Sequence, residues 1–140
     1  MTTEPSGPEA DGQRGSQARR RLVLAAAAVT VVAAGLAVSR ADGLAADLVG
    51  GALYTALLYV LVAVLAPRAR SRVVGLAAFG LSAAVELLQL TDVPRTLVEQ
   101  APPLAYVLGS TFVATDLAAY AVGALAATAV DVTVRGRRPG

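Results

Sequence analysis

Apolar positions in this chain fall into four long runs separated by short polar breaks: residues 22–39, 48–66, 73–90 and about 112–130. The first two are uncharged, the third is interrupted by Glu86, and the fourth by Asp116. Each run holds roughly 17 to 20 residues, which at ~1.5 Å per residue approaches the ~30 Å thickness of a bilayer's hydrocarbon layer. The pattern predicts an all-α integral membrane bundle of four transmembrane helices over residues 22–134.

The polar breaks set an orientation. Residues 1–21 are rich in Pro, Gly, Ser and Gln, and read as a disordered tail ending in a basic anchor. Arg14, Arg19, Arg20 and Arg21 precede the first run, Arg68, Arg70 and Arg72 separate the second from the third, and Arg135, Arg137 and Arg138 follow the fourth. The alternate breaks contain only Arg40 and Arg95 among the arginines. By the positive-inside rule, both termini are expected in the cytoplasm, including a short tail at 135–140. The opposite side collects Asp42, Asp47, Asp92, Glu99 and Asp116. A competing reading takes residues 1–41 as a cleaved leader, with Ser39-Arg40-Ala41 before Asp42 as the processing site. Its apolar run exceeds the usual leader core, and three further spans would remain.

Composition narrows the chemistry. At 140 residues, with 56% hydrophobic and 16% charged, the chain is one domain and too oily for a soluble one of that size. It has no Cys, His, Lys or Trp. Zinc sites of the Cys/His kind, thiol nucleophiles, Ser-His-Asp triads, Schiff-base lysines and the P-loop lysine therefore need residues this chain does not have. No cofactor and no resident metal are expected. The net charge of +2 comes from arginines placed as topology signals, and no nucleic-acid partner is expected.

Polar groups at membrane depth are the candidate chemistry. Ser82, Glu86 and Gln89 follow one another at spacings of four and three, along one stripe of the third helix. Asp116, Tyr120 and Gly123 form a matching stripe on the fourth. A submerged carboxylate must pair, protonate or face a wet cavity, and such residues usually mark function. If the last two spans are antiparallel neighbours, Glu86 and Asp116 meet at one depth.

Between those spans, residues 91–111 form a long loop containing Pro94, Pro102 and Pro103, whose PPLAYVLGST segment suits the interface, with Tyr106 and Phe112 as anchors. The expected polar site comprises Glu86, Gln89 and Arg95 with Ser110, Thr111, Asp116 and Tyr120. Asp47, Tyr54 and Ser82 are secondary members. Asp47-Leu48 with Gly51 and Tyr54 also echoes Asp116-Leu117 with Tyr120 and Gly123, a hint of a repeated helical hairpin. An aspartate in a first turn is equally plain helix chemistry.

AAVELLQL, a Pro-bearing loop and VLGSTFVATDLAAYAVGALA together resemble the small bacterial membrane family known as domain of unknown function 2809 (DUF2809), and more distantly the VanZ-like family. DLVGGALYTALLYVLVAVLAP resembles that family's second span, so the likeness covers about residues 42–127. Matching positions are Glu86, Gln89, Gly109, Ser110, Thr111 and Phe112, then Asp116, Tyr120 and Gly123, with Asp47 and Tyr54 less closely placed. The family pattern has a further Asp after the Phe, where this chain has Val113. The resemblance implies a multi-pass protein of the bacterial cell membrane, but no defined reaction. The VanZ-like association with glycopeptide sensitivity points toward the cell envelope.

Three functional readings follow. The first is a binding or accessory protein whose polar pocket holds a lipid headgroup, envelope precursor or partner helix. The second is an enzyme on a lipid-linked substrate, using Glu86 and Asp116 as acid and base or as Mg²⁺ ligands. The third is a proton-coupled carrier acting as a homo-oligomer, with Glu86 titrating.

Overall fold

A computed structural model describes residues 8–91, 93–104 and 114–136. Its elements are α1 (Pro8–Val38), α2 (Leu44–Leu65), α3 (Ser71–Leu88), α4 (Val93–Gln100), a 3-10 turn at Pro102–Leu104, and α5 (Ala114–Gly136). Among the described residues, four segments are long and apolar enough to cross a bilayer: Gln17–Val38, Leu44–Leu65, Ser71–Leu88 and Thr115–Gly136. Leu22, Leu65, Leu76 and Leu125 project outward as exposed side chains, as a lipid-facing surface requires. The chain is a multi-pass helical membrane protein.

The helix ends differ instructively from the runs of apolar residues. The segment expected as a disordered tail is helical from Pro8. Proline at a first helical position has the required φ, and the Gln, Ala and Arg residues before Leu22 are compatible with a helix the apolar span has already nucleated. The turn into α2 passes through Gly43 at φ 103°, a conformation that disfavours any Cβ, and α2 then starts at Leu44, placing Asp47 in its first turn. The last helix continues to Gly136, beyond the expected end near 130, because Asp131 forms an ion pair with Arg135 one turn on. The loop after α3 contains the short helix α4, where a structureless connection was expected.

Four spans place α2 and α5 in the same direction and α1 and α3 in the other. The most extensive packing joins the parallel pair α2 and α5; α3 packs on both, and α1 packs on α2. Small residues allow the α2–α5 approach. A Cβ built at Gly123 would collide with the backbone of Ala52, and one at Gly51 would come 3.0 Å from the Ala119 Cβ. Nearer the arginine-rich end, Tyr59, Ala63, Val74 and Ala78 form the buried core, with Ala127 of α5 packed against it. There the α2–α3 turn is clasped from two sides: Arg20 Nη1 donates to the Pro67 carbonyl, and Arg135 Nη1 to the Ala69 carbonyl at 3.1 Å.

Candidate functional site

At the end of the bundle opposite the arginine clasp, α1, α2, α3 and α5 diverge around an open cavity of about 740 Å³. Helix α3 contributes Val85, Glu86 and Gln89; α5 contributes Thr115, Asp116 and Tyr120; α2 contributes Asp47 and Tyr54. The α1–α2 connection adds Ser39 and Asp42. Six of the ten residues named from sequence therefore line one space, although they come from three helices: Glu86, Gln89, Asp116, Tyr120, Asp47 and Tyr54.

Glu86 is the centre of this arrangement. It is 1% exposed, and the Tyr120 hydroxyl donates to its Oε2 at 2.8 Å. Because α3 ends at Leu88, Glu86 occupies the last turn, closer to the helix end than the apolar run to Leu90 suggested. Asp47 and Asp116 sit in the first turns of α2 and α5, where free backbone amides and the positive end of the helix dipole favour negative charge. The Tyr54 and Tyr120 rings lie 6.1 Å apart at 52°, forming a tilted aromatic wall between these acids. Asp42, Asp47, Glu86 and Asp116 thus line one cavity whose described lining contains no arginine.

The other four expected members need separate statements. Arg95 does not reach the cavity: it is on α4, with its side chain 82% exposed, and forms an ion pair with Glu99 at 3.3 Å. The physical reason is the unexpected helix, whose i,i+4 geometry satisfies Arg95 locally. Ser110 and Thr111 lie outside the described residues, as do Tyr106, Gly109, Phe112 and Val113. Ser82 is fully buried and exchanges a 2.8 Å hydrogen bond with Thr55 of α2, so it joins helices and does not face the cavity.

A second polar group, absent from the sequence expectation, lies at the arginine-rich end. The Tyr59 hydroxyl of α2 and the Ser71 hydroxyl of α3 donate to Asp131 Oδ2 of α5 at 2.8 and 2.7 Å, and Arg135 Nε lies 2.9 Å from the same oxygen. Only the i,i+4 spacing of Asp131 and Arg135 could have signalled it. Among the described residues, no group of three or more His, Cys, Asp or Glu side chains is placed to hold a metal ion.

The geometry defines a class: a four-span helical bundle with one open acidic pocket and a closed, hydrogen-bonded opposite end. The chain belongs to the family described as Protein of unknown function (DUF2809), whose family model matches residues 40–124. That stretch contains α2, α3, the connection and the first half of α5, and with them every helix that contributes a carboxylate to the pocket. No curated protein and no solved structure matches the chain.

Proposed function

We propose that this protein is a binding or accessory component of the cell membrane, with both termini in the cytoplasm, whose pocket holds the polar head of an envelope lipid or lipid-linked precursor. The observation that carries this reading is Glu86, buried to 1% exposure and bonded to Tyr120, in the wall of an open cavity of about 740 Å³. A carboxylate used only to join two helices has no need of an adjoining cavity; one used for recognition does. The opposite end supports binding over passage through the bundle. There Tyr59, Ser71, Asp131 and Arg135 engage one another and the α2–α3 turn, so the polar space opens at one end.

The test is native mass spectrometry of protein extracted gently from its own membrane, wild type beside Glu86→Gln and Asp116→Asn. A discrete retained molecule, present on the wild type and lost from both variants, is the expected result. Three equally bare, equally folded proteins would remove the reading and leave Glu86 as an element of helix packing.

A further inference from the structure

Helices α1 and α5 both rest on α2, and the space between them is a second cavity of about 420 Å³, lined almost wholly by apolar side chains. It shares no lining residue with the acidic pocket. Ala52 and Ala56 of α2 lie in its floor, Leu24 and Ala27 of α1 on one wall, and Ala126 and Val130 of α5 on the other. Val23, Val122 and Val134 stay exposed along its rim, so the slot opens sideways, toward lipid. Between Val122 and Val134 it follows α5 for ~18 Å at ~1.5 Å per residue, a little over half the ~30 Å hydrocarbon layer. Val134 is close to the end of α5 at Gly136, so the slot runs from the arginine-rich surface to just past the midplane.

Each wall carries an arginine to that surface. On α1, Arg20 precedes Leu24 by four positions and Ala27 by seven, the spacing of one helix face. On α5, Asp131 and Val134 line the slot, and Arg135 Nε lies 2.9 Å from Asp131 Oδ2. Both guanidiniums reach the α2–α3 turn, Arg20 at the Pro67 carbonyl and Arg135 at the Ala69 carbonyl, which brings them to one mouth. Arg135 Nη2 is shielded from water and has no hydrogen-bond acceptor among the described residues. A charged donor in that position calls for an acceptor from outside the chain, and phosphate oxygens suit a guanidinium fork. Arg19 and Arg21 flank Arg20 in sequence and are exposed. Asp131, already matched by Arg135, is the one carboxylate among the described residues at this end of the four spans.

We infer that the slot binds an anionic phospholipid of the leaflet at the arginine-rich end, with one acyl chain laid between α1 and α5 and the phosphate held at the mouth by Arg20 and Arg135. Charge selects the head: a zwitterionic lipid brings its own cation to the same arginines, and an anionic one does not. This lipid is separate from the ligand of the acidic pocket, and the inference does not rest on that pocket.

The experiment titrates full-length protein, stripped of lipid in detergent, under native mass spectrometry. Dioleoyl-phosphatidylglycerol is compared with dioleoyl-phosphatidylcholine, which has the same chains, and with dihexanoyl-phosphatidylglycerol, whose chains are too short to fill the slot. Ala27→Phe and Ala126→Phe fill the slot from opposite walls, and Ala129→Phe places the same bulk at an exposed position of α5 that does not line it. Arg20→Gln removes one guanidinium from the mouth, and Glu86→Gln alters the acidic pocket alone.

Dioleoyl-phosphatidylglycerol should bind ~10-fold more tightly than either other lipid. Ala27→Phe and Ala126→Phe should each weaken it by ~10-fold, and Arg20→Gln should bring it level with phosphatidylcholine, while Ala129→Phe and Glu86→Gln bind as wild type does. Equal wild-type affinity for the two dioleoyl lipids overturns the arginine mouth, and this comparison needs no variant to fold. Equal affinity for long and short chains, or slot-filled variants that bind as Ala129→Phe does, overturns the slot. If Glu86→Gln loses phosphatidylglycerol, the lipid belongs to the acidic pocket and this inference fails. A dimer that holds no lipid gives the slot to a second copy of the chain and overturns it equally.

Discussion

The Tyr59 hydroxyl on α2 reaches the Asp131 carboxylate on α5 at 2.8 Å, across 72 positions of sequence. Ser71 of α3 donates to the same oxygen, so three helices meet at one atom. In a bilayer, where apolar surface gives helices little reason to prefer one another, such a point fixes which faces meet. Tyr59→Phe removes one donor and leaves Asp131 with Ser71 and Arg135, and is expected to lower bundle stability by ~1 kcal/mol. Asp131→Asn also removes the charge opposite Arg135 and is expected to cost more, ~2 kcal/mol for a partly exposed pair. Unfolding of both variants in lipid bicelles checks the order; equal losses would show that the ion pair adds nothing.

At the other end, Glu86 and Tyr120 should behave as a coupled pair. Glu86→Gln and Tyr120→Phe are each expected to destabilise, and the double variant by less than their sum, with a coupling of ~0.6 to 1.7 kcal/mol typical of hydrogen bonds between membrane helices. A double-mutant cycle on bicelle unfolding measures this directly. Strict additivity would mean that the 2.8 Å contact carries no net energy.

The glycines give a graded series. An added Cβ at Gly123 meets the backbone of Ala52, which cannot rotate away; at Gly51 it meets the Ala119 side chain at 3.0 Å; at Gly50 it meets nothing within 4 Å. Alanine substitution should therefore be most harmful at 123, intermediate at 51 and near neutral at 50, with roughly 1 to 3 kcal/mol expected at the first from overpacking. Thermal melting in detergent of the three single variants tests the series. A Gly123→Ala protein as stable as wild type would contradict the close α2–α5 crossing.

Arg95→Ala should be silent. The side chain is 82% exposed and its partner Glu99 is 66% exposed, and surface pairs of this kind contribute little. Melting and retained-lipid measurements on this variant should match wild type, and a lost ligand would return Arg95 to the pocket.

The four spans were legible because a bilayer imposes length and hydropathy on each helix independently, and both can be counted along the chain. The meeting of Glu86, Asp116 and Tyr120 was legible too, since consecutive antiparallel spans bring stripes from one side to one depth. The parallel α2–α5 pairing was not: its contacts join Gly51 to Ala119 and Ala52 to Gly123, positions with no local pattern in common beyond small size. Arg135 was read as a topology signal after the last run and Asp131 drew no reading, because an ion pair along one helix and a charged margin after its end use the same residue types. Arg95 was misplaced for the opposite reason, since an eight-residue amphipathic helix in a proline-bearing loop leaves little trace in a window sized for spans.

The parallel pair also has a consequence for biosynthesis. Helix α2 is made early, but its principal partner leaves the ribosome only after α3 and the connection that follows it. Until then α2 and α3 have Thr55 and Ser82 to join them, while Tyr59 and Ser71 await a carboxylate that has not yet been made. Arrival of α5 completes the pocket at one end and the clasp at the other in a single docking step. A chain stopped before residue 114 would be inserted without being assembled, its small-residue face and waiting hydroxyls turned toward lipid, in the state that membrane quality control removes.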